Sequence, residues 1–224
     1  MGYFPFFVEL DGKAGVVIGG GKVAARKVEK LLAFGPRLTV VAPALESGIW
    51  ELKERIEIRQ KAFQPEDLEG ADFVIAATDD REINTRVSAY CRERKIPVNA
   101  VDDRENCTFF FPALVKEGPL TVGISTEGKS PAAASWIRRQ VAGMLPENIG
   151  GIIDLMGQIR PWVLERIKEE SHRRELFEKM FVYCVERDCR GDGEKVTAEE
   201  LQNVSKTNRS NAEEISSVVD QFTQ

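Results

Sequence analysis

In the amino-terminal half of the chain, short β-branched apolar runs alternate with stretches whose apolar residues recur every three to four positions. Gly15 to Ile18, Leu38-Thr39-Val40-Val41, Ile56 to Arg59, Phe73 to Ala77 and Pro97 to Val101 read as strands. Phe6 to Glu9 reads as a further strand, joined to the first around Asp11-Gly12. Phe73-Val74-Ile75-Ala76-Ala77 shows no polar alternation, the pattern of a parallel strand covered on both faces. A helix from about Lys22 to Phe34 stops at Gly35-Pro36. Asp79-Asp80-Arg81-Glu82 has the form of a capping box opening a helix that reaches Glu93. Such a rhythm predicts a right-handed β-α-β series with its ligand at the carboxyl ends of the strands. After it the rhythm changes. Thr108 to Val115 and Pro119 to Ser125 read as two strands split by Lys116-Glu117-Gly118, and Ser130-Pro131 caps a helix running to Leu145. From Pro146 the pattern is helical, with starts at Thr197 and Ser210.

The first strand runs straight into Gly19-Gly20-Gly21-Lys22-Val23-Ala24. Gly19 allows a sharp turn, Gly21 lets backbone N–H groups approach a pyrophosphate, and Ala24 takes the third small position of G-x-G-x-x-G/A. The helix amino end adds a positive dipole, so the backbone of Lys22 and Val23 joins the glycines as a phosphate-binding candidate. The expected fold is therefore α/β, with a Rossmann-type parallel sheet over residues 1–112. A small strand-plus-helix dimerisation segment is expected over 113–146 and an all-helical domain over 147–224.

Ala42 and Pro43, at the end of the second strand, stand where an acid would hold the adenosine ribose or an arginine a 2′-phosphate. Neither is there, and spacing alone does not choose between NAD and NADP. Thr78 and Asp79 complete the candidate cofactor set at the end of the fourth strand, although helix capping is the better account of Asp79 and Asp80. Asp102 leaves the fifth strand where a nicotinamide ring and its substrate would meet, and its carboxylate could accept a carbon-bound proton. A plain turn aspartate fits that position equally well, and Asp103 competes for either role.

Three further matches are weaker. Gly123-Ile124-Ser125-Thr126-Glu127-Gly128-Lys129-Ser130 fits the P-loop pattern, but Pro131 has no N–H to give a phosphate. Asp188 to Glu199 has the outline of a calcium loop, spoiled by Arg190 at a ligand position and by Lys195. His172, flanked by Arg173 and Arg174, reads as a solvated surface histidine. Cys91, Cys107, Cys184 and Cys189 form no C-x-x-C pair and read as reduced thiols.

The net charge of −5 argues against a nucleic-acid partner. No apolar run is long enough to span a membrane, and Glu9 and Asp11 interrupt any secretory signal, so a cytoplasmic protein is expected. Phe6 stands where myristoylation needs Ser or Thr. Residues 113–146 form a basic segment of net charge +2, with Lys116, Lys129, Arg138 and Arg139 against Glu117 and Glu127.

Tyr3-Phe4-Pro5, Val8 to Lys13, the Val-Ile-Gly-Gly-Gly-Lys-Val-Ala-Ala-Arg-Lys run, Ala77 to Asp80, Val98 to Asp102 and Ser125 to Pro131 together resemble precorrin-2 dehydrogenase, the sirohaem-synthase amino-terminal module. The resemblance covers residues 1 to about 150 and not the tail beyond about 190. It implies a homodimer that oxidises precorrin-2 to sirohydrochlorin with NAD. In some members the same pocket also inserts ferrous iron. The family's active-site aspartate falls on Asp102, and Thr126 takes a position that is serine in some members. A polycarboxylate tetrapyrrole would give the basic segment a purpose, with Thr126, Lys129, Ser130 and Arg138 as candidate substrate contacts. The reading from another class is an NAD(H)-sensing regulatory module without catalysis.

Overall fold

A computed structural model describes residues 2–190. The expected helix starts at Thr197 and Ser210, and the calcium-loop outline from 191 onward, lie outside the described residues. The described residues divide into two compact units, one of residues 4–111 and one of residues 112–190 together with residues 2–3.

The first unit is a five-stranded, all-parallel sheet in the order β3-β2-β1-β4-β5. Its strands are β1 (Ala14–Ile18), β2 (Arg37–Val41), β3 (Glu57–Arg59), β4 (Phe73–Ala76) and β5 (Val98–Ala100). Three helices connect them: α1 (Lys22–Leu32), the short α2 (Ser47–Trp50) and α3 (Arg81–Glu93). The strand alternation splits the core in two. Val17, Val40 and Ile75 face Ala24, Val28 and Leu31 of α1, while Val16, Val74 and Val98 face Val87 and Cys91 of α3. β4 is buried at every position, as its unbroken apolar run predicts.

Phe6 to Glu9 does not form the expected strand. A hairpin partner needs a free edge, and both edges of β1 are taken by β2 and β4. The turn at Leu10 to Lys13 does form, and Phe4, Phe6, Phe7 and Val8 are left exposed.

In the second unit β6 (Ala113–Glu117) and β7 (Leu120–Ile124) make a two-stranded antiparallel hairpin. The pair starts later than expected because Thr108 bonds to Val98 beside β5, so residues 108–111 belong to the first unit. Phe111 accordingly packs on the first unit's core. The turn is Gly118-Pro119, with Gly118 at φ +54, and not the expected Lys116-Glu117-Gly118. Helix α4 (Pro131–Met144) is capped by Ser130, whose Oγ accepts the Ala133 N–H at 3.1 Å, with Pro131 in the first turn as predicted. Helices α5 (Ile149–Arg166) and α6 (Glu170–Arg190) follow. They join through Ile152, Ile159 and Val163 against Leu176, Met180 and Cys184, spaced for one face of α6. Among the described residues no helix is long and apolar enough to cross a membrane.

One buried carboxylate ties the edge of the sheet to the 3₁₀ turn Pro65–Leu68. Asp67, 4% exposed, receives Lys61 Nζ at 2.7 Å and the Gln64 N–H at 2.9 Å, with Arg59 at 3.6 Å. Burial alone would push this carboxyl up, but the hydrogen bonds from Lys61 and Gln64 and the charges of Lys61 and Arg59 outweigh it. They hold it below the usual carboxylate value. A depressed folded-state pKa means that the stabilisation is complete above the unfolded value of about 3.9 and is lost as pH falls through the folded value. We expect Asp67→Asn to lower stability by about 1.5–3 kcal/mol near neutrality. In urea unfolding, the gap from the parent should close as the pH is taken down through the Asp67 pKa.

Candidate active site

Because β1, β4 and β5 are parallel neighbours, their carboxyl ends come out side by side. The ladder places Ile18 beside Ala76 and Ala76 beside Ala100, and continues through Ala77 N–H to the Ile18 carbonyl (2.8 Å) and Val101 N–H to the Ala76 carbonyl (2.9 Å). Three turns therefore share one edge of the sheet: 19–21, 78–80 and 101–103.

The three glycines have different tasks. Gly19 has φ +118, and a Cβ there would lie 2.3 Å from the Ala77 carbonyl oxygen. Gly20 is closed in by the Ala44 carbonyl, 2.2 Å from where its Cβ would be, and by Leu45 and Ala42. Gly21 faces open space, with no atom within 4 Å of an added Cβ. Gly21 is also the N-cap of α1, without a side-chain cap and with no acidic residue in the first turn. The first N–H groups of that helix, those of Lys22 and Val23, are thus available to an anion. Ala24 is fully buried between α1 and the sheet. These residues fit a dinucleotide pyrophosphate. The amino end of α4 differs, since Ser130 caps it and Pro131 lacks an N–H. The P-loop spelling is filled by β7 from Gly123 and by a turn in which the Thr126 hydroxyl bridges the Ser130 N–H (3.3 Å) and carbonyl (3.0 Å).

At the end of β2, Ala42 is buried, and the exposed Pro43 accepts the Gln60 amide at 3.4 Å. At the end of β4, Asp80 caps α3, its Oδ1 accepting the N–H groups of Glu82 and Ile83. The cap is thus Asp80, one residue later than a box begun by Asp79 would have it, and Asp79 stays exposed. Thr78 is held by Asn84, whose side chain bonds both the N–H and the carbonyl of Thr78 and lies 2.8 Å from its hydroxyl. Asn84 was not legible in the sequence. A helix asparagine gives no signal until α3 lays it across the end of β4.

The aspartate pair after β5 separates by environment. Asp103 turns into its own loop, bonding the Asn106 side chain at 2.7 Å and the Asn106 N–H at 3.3 Å, which holds its carboxyl below the usual range. Asp102 is exposed and sits at φ +57, a left-handed conformation uncommon for a residue other than glycine. Lys27 was also missed. It shares the buried face of α1 with Ala24, Val28 and Leu31, so a cation at that helical spacing was a signal to follow. Its Nζ donates to Asn99 Oδ1 at 2.9 Å and lies 3.9 Å from the centre of the Phe111 ring.

In the second unit, Lys129 is exposed and pairs with Glu127 at 2.9 Å, while Arg138 is half-buried on α4. His172 is exposed beside Glu169 at 3.4 Å, as a surface histidine would be.

Residues 6–113 match a family model described as NAD(P)-binding, and residues 117–144 match one described as sirohaem biosynthesis protein central. The two matches adjoin in the order in which the glycine turn and the hairpin with α4 follow each other. In these two matches the chain is similar to an NAD(P)-binding domain followed by the central segment of a sirohaem biosynthesis protein. It is 42% identical over 186 residues to a sirohaem synthase of Photorhabdus laumondii, covering 81% of this chain and 39% of that protein. A sirohaem synthase of Methylococcus capsulatus is 39% identical over 80% of this chain and 38% of its own length. The chain thus spans about two fifths of the length of these curated relatives. The solved structure of SirC, a precorrin-2 dehydrogenase, has the same fold. Its TM-score is 0.63 at 24% identity, over 83% of this chain and all of that one. The module's cofactor is a nicotinamide dinucleotide.

The different tasks of the glycines can be separated by substitution. Gly21→Asp supplies a good N-cap, so its melting temperature should equal or exceed the parent's, while NAD⁺ affinity measured by calorimetry falls at least about tenfold. Gly19→Ala should instead lower the melting temperature, because a left-handed backbone and a carbonyl clash cost about 1–3 kcal/mol.

Proposed function

We propose that this module oxidises precorrin-2 to sirohydrochlorin with NAD⁺ as hydride acceptor, and that Asp102 is its general base. The observation that carries this reading is the exposed Asp102 carboxylate, held at a strand-end turn on the same sheet edge as the open amino end of α1. The cofactor takes the hydride from the macrocycle when bound. The chain's task is to orient the dinucleotide and accept the proton that leaves with it. Gly21, Lys22 and Val23 bind the pyrophosphate through backbone N–H groups, with the open Gly21 position leaving room for close approach. Ala42, Pro43, Thr78 and Asp79 border the rest of the dinucleotide. An acid-free end of β2 offers no charge against a ribose phosphate, and NAD is chosen over NADP on the resemblance.

Asp102 suits proton abstraction better than Asp103, because a carboxylate already bonded into its own loop is a poorer acceptor. The macrocycle carries acetate and propionate groups, and Lys129 and Arg138 are the cations offered to them. Thr126 and Ser130 hold the turn that presents Lys129.

The working form is a homodimer joined through residues 113–146, in the cytoplasm. A two-stranded hairpin has little apolar area of its own, and Trp136, Ile137 and Met144 stay exposed on α4. Light scattering at micromolar concentration should give twice the chain mass, and a monomer would overturn the dimer.

Asp102→Asn keeps the size of the side chain and removes the base. Turnover of precorrin-2, followed by its absorbance change with NAD⁺, should fall at least about 10²-fold with NAD⁺ affinity little changed. Asp103→Asn and His172→Ala should stay within a few-fold of the parent. Near-parental turnover by Asp102→Asn would reduce that carboxylate to a turn residue.

A further inference from the structure

The half-buried ammonium of Lys27 has no part in binding the dinucleotide as described above, yet it is built into the base of the turn that carries Asp102. Its Nζ donates to Asn99 Oδ1 at 2.9 Å and lies over the Phe111 ring at 3.9 Å. Asn99 is itself buried and passes the link on, its Nδ2 donating to the Phe109 carbonyl at 3.0 Å. Between these two anchors the chain leaves β5 at Ala100, turns through Asp102 and returns at Cys107. The Cys107 thiol closes the loop against Ala100, accepting its N–H at 3.2 Å and reaching its carbonyl at 3.1 Å. One cation therefore grips the outgoing and the returning limbs of the Asp102 loop.

We propose that Lys27 is a positioning residue for Asp102: its ammonium, tied to Asn99 and seated on Phe111, fixes the loop that presents the carboxylate. This inference rests on the reading of Asp102 as the base. The groups that bear on Lys27 are Lys30 on its own helix and, from the loop after β5, Cys107 and Asp102. Asn99 and Phe111 are uncharged. Burial brings Lys27 down to about 8, against the upward pull of Cys107 and Asp102 and together with the repulsion of Lys30. The clamp is thus charged at neutral pH and loses its proton just above it. Each such loss removes the hydrogen bond to Asn99 as a charge-assisted contact and the attraction to the ring.

The test is the pH profile of kcat for precorrin-2 oxidation in the parent, Lys27→Met, Lys27→Arg and Asp102→Asn, with NAD⁺ affinity measured alongside. In the parent, kcat should fall on the alkaline side at about 8. Lys27→Met removes the ammonium, so kcat should fall about tenfold at neutral pH and its alkaline fall should disappear, with NAD⁺ affinity within about threefold of the parent. Lys27→Arg keeps a charge that does not titrate, so kcat at neutral pH should stay within about threefold of the parent while the alkaline fall disappears. Lys27→Arg also serves alone should Lys27→Met not fold. A parental kcat in Lys27→Met or a parental alkaline limb in either Lys27 variant, with turnover lost in Asp102→Asn, would overturn the role of Lys27 and leave Asp102 standing. Near-parental turnover by Asp102→Asn would overturn both.

Discussion

Everything at the candidate site depends on one close backbone approach, that of Gly19 to the end of β4. A side chain at Gly19 would need the space of the Ala77 carbonyl, and the residue's φ of +118 is one that side-chain-bearing residues rarely adopt. With hydrogen there, β1 can end level with β4 and turn directly into α1. The amino end of α1 then opens at the same edge of the sheet as the loop after β5. The open amino end of α1 and the candidate base are thus brought to one edge by three neighbouring parallel strands.

The unit has two kinds of polar residue at that edge. Asp80, Asp103, Asn84 and Cys107 spend their hydrogen-bonding capacity on closing turns. Asp102 and the N–H groups that begin α1 are left outward. The difference is physical. A turn that is already closed by its own side chains keeps its shape without a ligand, so the outward groups are presented in place beforehand and not recruited on binding. The left-handed backbone at Asp102 belongs with this arrangement, since the loop's thiol and amide contacts over-determine a conformation that an aspartate would not favour alone.

The second unit is organised by a different constraint. Its hairpin is too small to bury two faces, so its stability rests on α4 and the helices after it. Gly118 comes so near Gly150 that a Cβ there would lie 2.9 Å from the Gly150 Cα. The α5–α6 pair has a core of its own in Ile159, Val163 and Met180, all buried. The turn before α4 is shaped by the hydroxyls of Thr126 and Ser130, so a P-loop spelling arises here without its geometry.

The linear sequence by itself determined the parallel sheet, the glycine turn, the Ser130 cap and the position of Asp102. Each rests on local rules, namely apolar runs, positions that tolerate only glycine and short-range capping. The tertiary structure alone decided that Phe6 to Glu9 would not pair, because strand order is a contest for edges and β2 and β4 occupy both sides of β1. It also decided which of two adjacent aspartates faces outward, through an Asn106 contact that spacing could not reveal. The gathering of Lys27, Asn99, Cys107 and Phe111 around one loop was likewise beyond sequence reading. These residues come from a helix, a strand and a returning segment up to 84 positions apart, and only the packing of α1 against the sheet brings their charges and dipoles within reach.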